Sequence, residues 1–361
     1  MTRVFQNIGV YGAYRPRLAR LMDEQANFSG KVRALVDDGF GGIHMLKPAI
    51  TGDPDFFYTS GDFEPLQKHW AREQGVTGDP DLADILLMQI EHHRTEIFYN
   101  LDPVRYGDAF LARLPSCVKR TIAWRAAPSG GAAFLKHDLV VNNYPSLAAE
   151  YERQGAKTAF FFPGHDPKMD QFADAAERPI DILFIGGYTR HHMERAAALE
   201  AVATLSERYN VVFNLDVSRA TRLAESPAGW IGPLRKLRRP SSIREISQPP
   251  LFGLDMYQQI GRAKLVLNGK VDISGIDRGN MRLWETLGCG AALVTDDGRY
   301  PVGMTPEQDF AVYTDTTSLI ATVERLLDAD EQRRTIAQSG RDMIRTSFNK
   351  DVQWARFLEL C

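Results

Sequence analysis

The chain has 361 residues, enough for two domains, with 44% hydrophobic and 25% charged side chains as in an ordinary globular enzyme. A net charge of −3 carries no general nucleic-acid signal, and no apolar run approaches a bilayer span. Cys117, Cys289 and Cys361 are far apart without C-x-x-C spacing, and the opening MTRVFQNIGVYGAY lacks the apolar core of a signal peptide; the expectation is a reduced, cytoplasmic chain without structural zinc.

Val4 to Tyr11 predicts a first strand ending at Gly12, where a glycine opens the ligand side of an α/β domain or simply makes a turn. Arg15 to Gln25 and SGKVRALVDDGF predict helices. The segment GGIHMLKPAITGDPDFFYTSGDF is rich in Gly, Pro and Asp and is expected to be a long loop on the acceptor side, carrying His44 and Asp55. His44 is a catalytic candidate there, against the plainer role of a solvated loop residue.

From Asp79 the pattern clears. Leu82, Ile85, Leu86 and Ile90 have helical spacing, and strands and helices alternate through VKRTIAWRAAP, HDLVVNN, PSLAAEYERQG and AKTAFFFPGHDP. Alternation of this kind predicts a parallel sheet with helices on both faces. Several polar residues fall at strand ends, where open α/β sheets hold ligands, among them Asn100, Asp102, Asn142 and His165. Asp102 is a candidate base for an acceptor hydroxyl; the alternative is a helix cap before PVRYGDAF.

The second half opens with a hinge near Lys168 to Pro179. Strand IDILFI then enters Gly186-Gly187 and the basic helix start YTRHHMERAAALEAV, suited to phosphate, with Arg190 and His192 as candidate contacts or as solvated cations. It is not a G-x-G-x-x-G match, so a nicotinamide site is not expected. After NVVFNLD comes an insertion of about 30 residues whose basic core is Arg235, Lys236, Arg238, Arg239 and Arg244. A solvated loop is the plain expectation; contact with anionic lipid at the inner membrane face, or with a polyanionic acceptor, is the sharper one.

Leu265 to Asp297 then reads as strand, glycine-rich loop, helix MRLWETLG, glycine stop and strand. Asn280 is placed as the N-cap and Gly290 at the C-terminal left-handed position. A helix start presents unpaired amides and partial positive charge, so Gly279, Asn280 and Met281 can hold a phosphate, with Arg282 adding charge-assisted bonds. Glu285, one turn on, can accept from ribose hydroxyls. The alternative is an ordinary crossover with a solvated Arg282–Glu285 pair. Phe310 to Tyr313 is a last short strand; two helices and a terminal amphipathic helix carrying Trp354 and Phe357 follow.

Asn280, Arg282, Trp284, Glu285 and Gly290 resemble the N-x-R-x-F-E-x-x-x-x-G signature of GT-B glycosyltransferases, and most closely the spore-maturation (CgeB-like) group, with Trp for Phe. QIEHHRTEIFYN and HDLVVNNYPSLAAEYERQGAKTAFFFPGHDP are similar to segments of the same group, so the resemblance spans roughly residues 80 to 360. It implies an α/β chain of two facing Rossmann-like domains, 1–167 on the acceptor side and 168–345 binding the nucleotide-sugar, with 346–361 crossing back onto the first. It also implies transfer of a sugar from a nucleoside-diphosphate donor to an acceptor hydroxyl in bacterial glycan or glycoconjugate synthesis, the acceptor being a glycan, a lipid-linked molecule or a protein. Related retaining enzymes use E-x7-E; here Asp277 stands first, as D-x7-E, which makes Asp277 the third catalytic candidate after Asp102 and His44 and tilts the expected outcome toward retention. Gly186, Gly187, Arg190 and Gly279 to Arg282 would hold the diphosphate and Glu285 the ribose. No convincing D-x-D is present, and neither metal nor other cofactor is expected. A nucleotide-sugar 2-epimerase and a non-catalytic sugar-nucleotide sensor are the competing possibilities.

Overall fold

The computed structural model describes residues 2–128, 130–132, 134–188, 193–227, 237–269 and 275–361. The chain divides into two units: Met1–Gly164 with Phe348–Cys361, and His165–Ser347. Each is built on a six-stranded, wholly parallel sheet.

Unit 1 holds β1 (Val4–Ile8), β2 (Phe56–Ser60), β3 (Ile97–Asn100), β4 (Arg120–Trp124), β5 (Leu139–Asn142) and β6 (Thr158–Phe160), in the order β2-β1-β3-β4-β5-β6. The stretch expected to be a long loop is structured instead. It contains a single turn of 3-10 helix at Gly42–His44, a helix at Lys47–Thr51, and β2 itself. FFYTS is short and bounded by turn formers, so its local pattern is weak; pairing with β1, from Val4–Phe56 to Ile8–Ser60, supplies the ladder that makes it a strand. The terminal helix Lys350–Glu359 completes this unit: Phe357 is buried among Tyr99, Trp124 and Phe161.

Unit 2 holds β7 (Ile180–Gly187), β8 (Val211–Asp216), β9 (Ser247–Gln248), β10 (Ala263–Leu267), β11 (Ala292–Asp296) and β12 (Ala311–Tyr313). Their order, β12-β11-β10-β7-β8-β9, is the doubly wound 3-2-1-4-5-6 arrangement read from the other edge. Ile182, Leu183, Phe184 and Ile185 are all buried, as a parallel strand covered on both faces requires. Gly186 and Gly187 do not form a turn. They finish β7, paired with Leu215 and Asp216.

Candidate functional site

In unit 2 the strand order reverses between β7 and β10, and open α/β sheets bind ligands in the crevice at the carboxyl ends of the strands there. Those ends are Gly187 and Leu267. A Cβ on Gly187 would meet nothing within 4 Å, so the strand end faces open space. The chain leaves β10 through Asn268 and Gly269 and enters the helix Met281–Gly288 after Asn280.

That helix starts where the sequence predicts, but Asn280 makes no side-chain cap. Its Nδ2 donates instead to Asn268 Oδ1 at 2.8 Å, tying the helix start to the strand end. Asn268 Nδ2 in turn reaches Thr295 Oγ1 at 3.2 Å, at the end of β11. Among the described residues the amides of Asn280, Met281 and Arg282 find no acceptor, as expected at an uncapped helix start. Arg195, in the first turn of the helix Met193–Ala203, donates to Gly269 O at 2.7 Å and so links the segments that follow β7 and β10. Arg190 and His192 lie outside the described residues, as do Arg235 and Lys236 of the basic insertion.

Arg282 and Glu285 meet as an i, i+3 pair, Nη1 to Oε2 at 2.7 Å, but the pair is not solvated: the side chains are 16% and 4% exposed. Burial raises the Glu285 pKa and the guanidinium pulls it back. Arg282 Nε is buried with no acceptor among the described residues, and Glu285 Oε1 makes no hydrogen bond there. Asp277 is fully buried, its Oδ1 taking 2.6 Å from Arg299 Nε. Its neighbour Arg278 fastens the loop by donating to Gly275 O at 2.9 Å, Asp277 O at 3.0 Å and Asp297 O at 2.5 Å, with Nε 2.7 Å from Asp296 Oδ2. Both carboxylates of the D-x7-E spacing are therefore buried, and each is held by an arginine.

Asp102 and His44 lie in unit 1. There the reversal falls between β1 and β3, where Asp102 packs on Gly9: a Cβ on Gly9 would lie 3.2 Å from Asp102 Oδ2. Asp102 caps no helix, because the next one, Asp108–Leu111, begins after Gly107. It pairs with Arg105 at 3.2 Å, and burial, opposed by Arg105 and aided by Asp62, raises its pKa. A buried amide network underlies this edge: Asn7 Nδ2 donates to Asn100 Oδ1 at 3.0 Å, Gly61 N to Asn7 Oδ1 at 2.8 Å, and Tyr106 OH to Gly61 O at 2.7 Å. His44 sits against Trp124, with ring centroids 4.8 Å apart. Its Nδ1 is buried without a partner among the described residues, and burial, helped by Lys350, lowers its pKa to about 3, so the ring is neutral.

Residues 190–359 match the family model described as glycosyl transferase-like. That stretch is similar to glycosyl transferase-like domains. The match covers just under half of the sequence, and no curated protein matches the chain. Solved structures extend the likeness to its whole length. HepE (Alr3699) of Anabaena, in complex with UDP and glucose, shares 13% identity at a TM-score of 0.60, over 100% of this chain and 99% of that one. Sucrose-phosphate synthase from Thermosynechococcus elongatus shares 12% at 0.55, over 100% and 98%. A glycosyltransferase from Rickettsia africae shares 11% at 0.54, over 100% and 97%. At such identities the likeness is one of fold: two Rossmann-like units in the GT-B manner.

Five residues of these two edges were not picked from sequence as candidates: Arg195 and Asn268 in unit 2, and Asp62, Arg15 and Gly9 in unit 1. Gly9 falls inside the strand the sequence predicts, Val4 to Tyr11, whereas β1 ends at Ile8. Among the described residues there is no cluster of His, Cys, Asp or Glu suited to a metal, and no helix long and apolar enough to cross a membrane.

Proposed function

We propose that the chain transfers a sugar from a nucleoside-diphosphate donor to an acceptor hydroxyl, and that unit 2 binds the donor at the β7/β10 reversal. One observation carries this: a helix start whose Asn280, Met281 and Arg282 amides find no acceptor among the described residues lies at the crevice of a doubly wound sheet, beside an arginine whose buried Nε likewise has none there. The amides at Gly279–Met281 and Arg282, with Gly187 allowing close approach, neutralise the diphosphate. Glu285 Oε1 takes the ribose hydroxyls. Arg190 is the candidate for further cationic contact. HepE has been crystallised with UDP-glucose, which makes that compound the first donor to try.

The chemistry needed is modest. The bond from the anomeric carbon to the phosphate oxygen breaks with its electron pair leaving on the diphosphate. The acceptor oxygen bonds to that carbon and gives up its proton to a base, for which Asp102 is the candidate. Cationic and amide donors fixed before the reaction stabilise the leaving charge without a metal. We place Asp277 near the sugar through the loop it anchors, and Asp102 and His44 on the acceptor side, the first accepting a hydrogen bond from the hydroxyl and the second acting as a neutral imidazole. Retention of anomeric configuration is proposed only on the likeness of the Asp277–Glu285 spacing to the E-x7-E pair of retaining enzymes. Bacterial glycan or glycoconjugate synthesis is the setting in which such a transfer would serve.

Calorimetry with UDP-glucose and other nucleotide-sugars tests the donor site. Arg282→Ala and Glu285→Ala should each weaken binding at least tenfold, and unchanged affinity in both would sink the proposal. Donor hydrolysis above background, lost in Glu285→Ala, separates an enzyme from a sensor, and the anomeric signal of the product by NMR decides between retention and inversion. The family match gives the 2-epimerase alternative no support.

A further inference from the structure

We propose that a cavity at the amino edge of the unit 2 sheet is a binding site for an oligophosphate, a di- or triphosphate group held by Arg178, Lys264, Arg333, Arg334 and Arg341. It stands at the strand ends opposite the β7/β10 crevice and does not depend on the donor site proposed there.

The cavity has a volume of about 520 Å³, within the range of small-molecule sites. It lies where β7, β10 and β11 begin, at Ile180, Ala263 and Ala292. One wall is the helix Asp330–Ser347, whose positions 330, 333, 334, 337, 338 and 341 all line it, the spacing of a single helix face. The segment 173–179 supplies another wall. Arg178 is fixed between the two, donating to Ala173 O at 2.7 Å, Ala263 O at 3.1 Å and Cys289 O at 3.3 Å. These acceptors are neutral carbonyls, so they orient the guanidinium without cancelling its charge. A cation held in place in this way is preorganised for an anion.

The lining carries five cations against two carboxylates, Glu177 and Asp330. Asp174 and Asp181 pair with Arg341 and Lys264, the latter at 2.6 Å, so the count of charges alone selects no ligand. Burial does. The side chains of Arg333 and Arg341 are each 8% exposed, whereas their partners Asp330 and Asp174 are 53% and 78% exposed. The guanidiniums are fixed in the protein and the carboxylates stand in water, where they can be displaced at little cost. Asp174 takes both terminal nitrogens of Arg341, and the buried Nε finds no acceptor among the described residues. Burial lowers the Arg178 pKa, and Arg333 and Arg341 lower it further, a mutual repulsion that an anion between them would relieve. Arg333 and Arg341 are about two turns apart, roughly 12 Å along the helix. A single phosphate concentrates its charge at one point, while an oligophosphate spreads it along a chain and can meet guanidiniums at both levels with bidentate bonds.

The test is calorimetry on the full chain at low ionic strength with inorganic tripolyphosphate, pyrophosphate and orthophosphate. Tripolyphosphate should bind most tightly and orthophosphate least. Arg341→Gln should weaken tripolyphosphate binding about tenfold, and Arg334→Gln about threefold. Asp174→Asn removes the competing carboxylate and should strengthen binding about threefold, a gain that a purely structural Asp174–Arg341 pair would not give. Arg334 and Asp174 are both exposed, so these two variants stand apart from any folding defect in Arg341→Gln. Arg282→Ala should leave tripolyphosphate affinity unchanged. The inference is overturned if tripolyphosphate does not bind, if orthophosphate binds as tightly, if Asp174→Asn brings no gain, or if Arg282→Ala abolishes binding that Arg341→Gln retains. Absence of UDP binding in a chain that binds tripolyphosphate counts against the donor site alone.

Discussion

Arg282 donates to Glu285 across 2.7 Å from within one turn of the helix Met281–Gly288, and both side chains are largely out of water. An ion pair in this setting costs much more to break than a surface pair, because the survivor is left charged in a poor solvent. Arg282→Ala should therefore lower unfolding stability by about 2–4 kcal/mol in urea titrations. Replacing both residues, as Arg282→Met with Glu285→Gln, should recover most of that loss without restoring nucleotide affinity. Equal stability of Arg282→Ala and the parent chain would contradict the buried pair.

Gly340 lies in the long helix Asp330–Ser347, where alanine ordinarily stabilises by about 1 kcal/mol. Here a Cβ would come within 2.3 Å of Asp309 O and 2.7 Å of Leu287 Cδ2. Overpacking should win, and Gly340→Ala should cost about 2 kcal/mol net. Since Leu287 belongs to the helix Met281–Gly288, proposed above to hold the donor, the same change should weaken UDP binding from a distance. A thermal midpoint at or above that of the parent would refute the close approach.

Lys350 is a buried ammonium whose described acceptors are all neutral: the carbonyls of Gly42 at 2.8 Å, Ile43 at 3.1 Å and Met45 at 2.6 Å, and Gln353 Oε1 at 2.9 Å. Lys350→Met removes the donor common to four acceptors and should cost about 2–4 kcal/mol. The first consequence should be protease cleavage near residue 348 before any cut elsewhere. Because these carbonyls flank His44, the turn carrying that imidazole should loosen at the same time.

Three histidines of unit 1 are held neutral, chiefly by burial: His44 at about 3, and His93 and His137 at about 4. Their unfolded value is about 6.5. Between these limits the unfolded chain binds the proton and the folded chain does not, so stability is complete above about pH 6.5 and falls as pH drops toward 4. Glu285 and Asp102, with raised values, act in the opposite sense and soften the decline. Urea midpoints should drop between pH 7 and 5, and the His137 ring signals should not titrate above pH 5. A His137 midpoint near 6.5 would overturn this.

The helix Met281–Gly288 could be read in the sequence because its signals are local: an apolar run at Leu265–Leu267, glycines that break it, and helical spacing up to Gly290. The alternation that places two parallel sheets is local in the same way. What escaped depends on pairings between distant segments. Arg195 meets Gly269 across 74 positions, Val10 meets Asp62 across 52, and Asn7 meets Asn100 across 93. Strand β2 escaped for the same reason, since its order comes from the edge of β1. Asn280 shows the opposite failure: the helix start was legible, but the side chain expected to cap it is drawn away by Asn268, a partner that only the adjacency of β10 provides.

The helix Lys350–Glu359 has a consequence for the order of events during synthesis. Unit 2, residues 165–347, is one uninterrupted stretch, whereas unit 1 is made of 1–164 together with 348–361. Phe357 fills the centre of the first unit's core, against Tyr99 at 5.0 Å and Phe161 at 6.0 Å. On the ribosome the usual N-to-C succession of domains is therefore inverted at its last step. The half translated first must wait, with a hole in its core, until the half translated second has emerged and can already have folded.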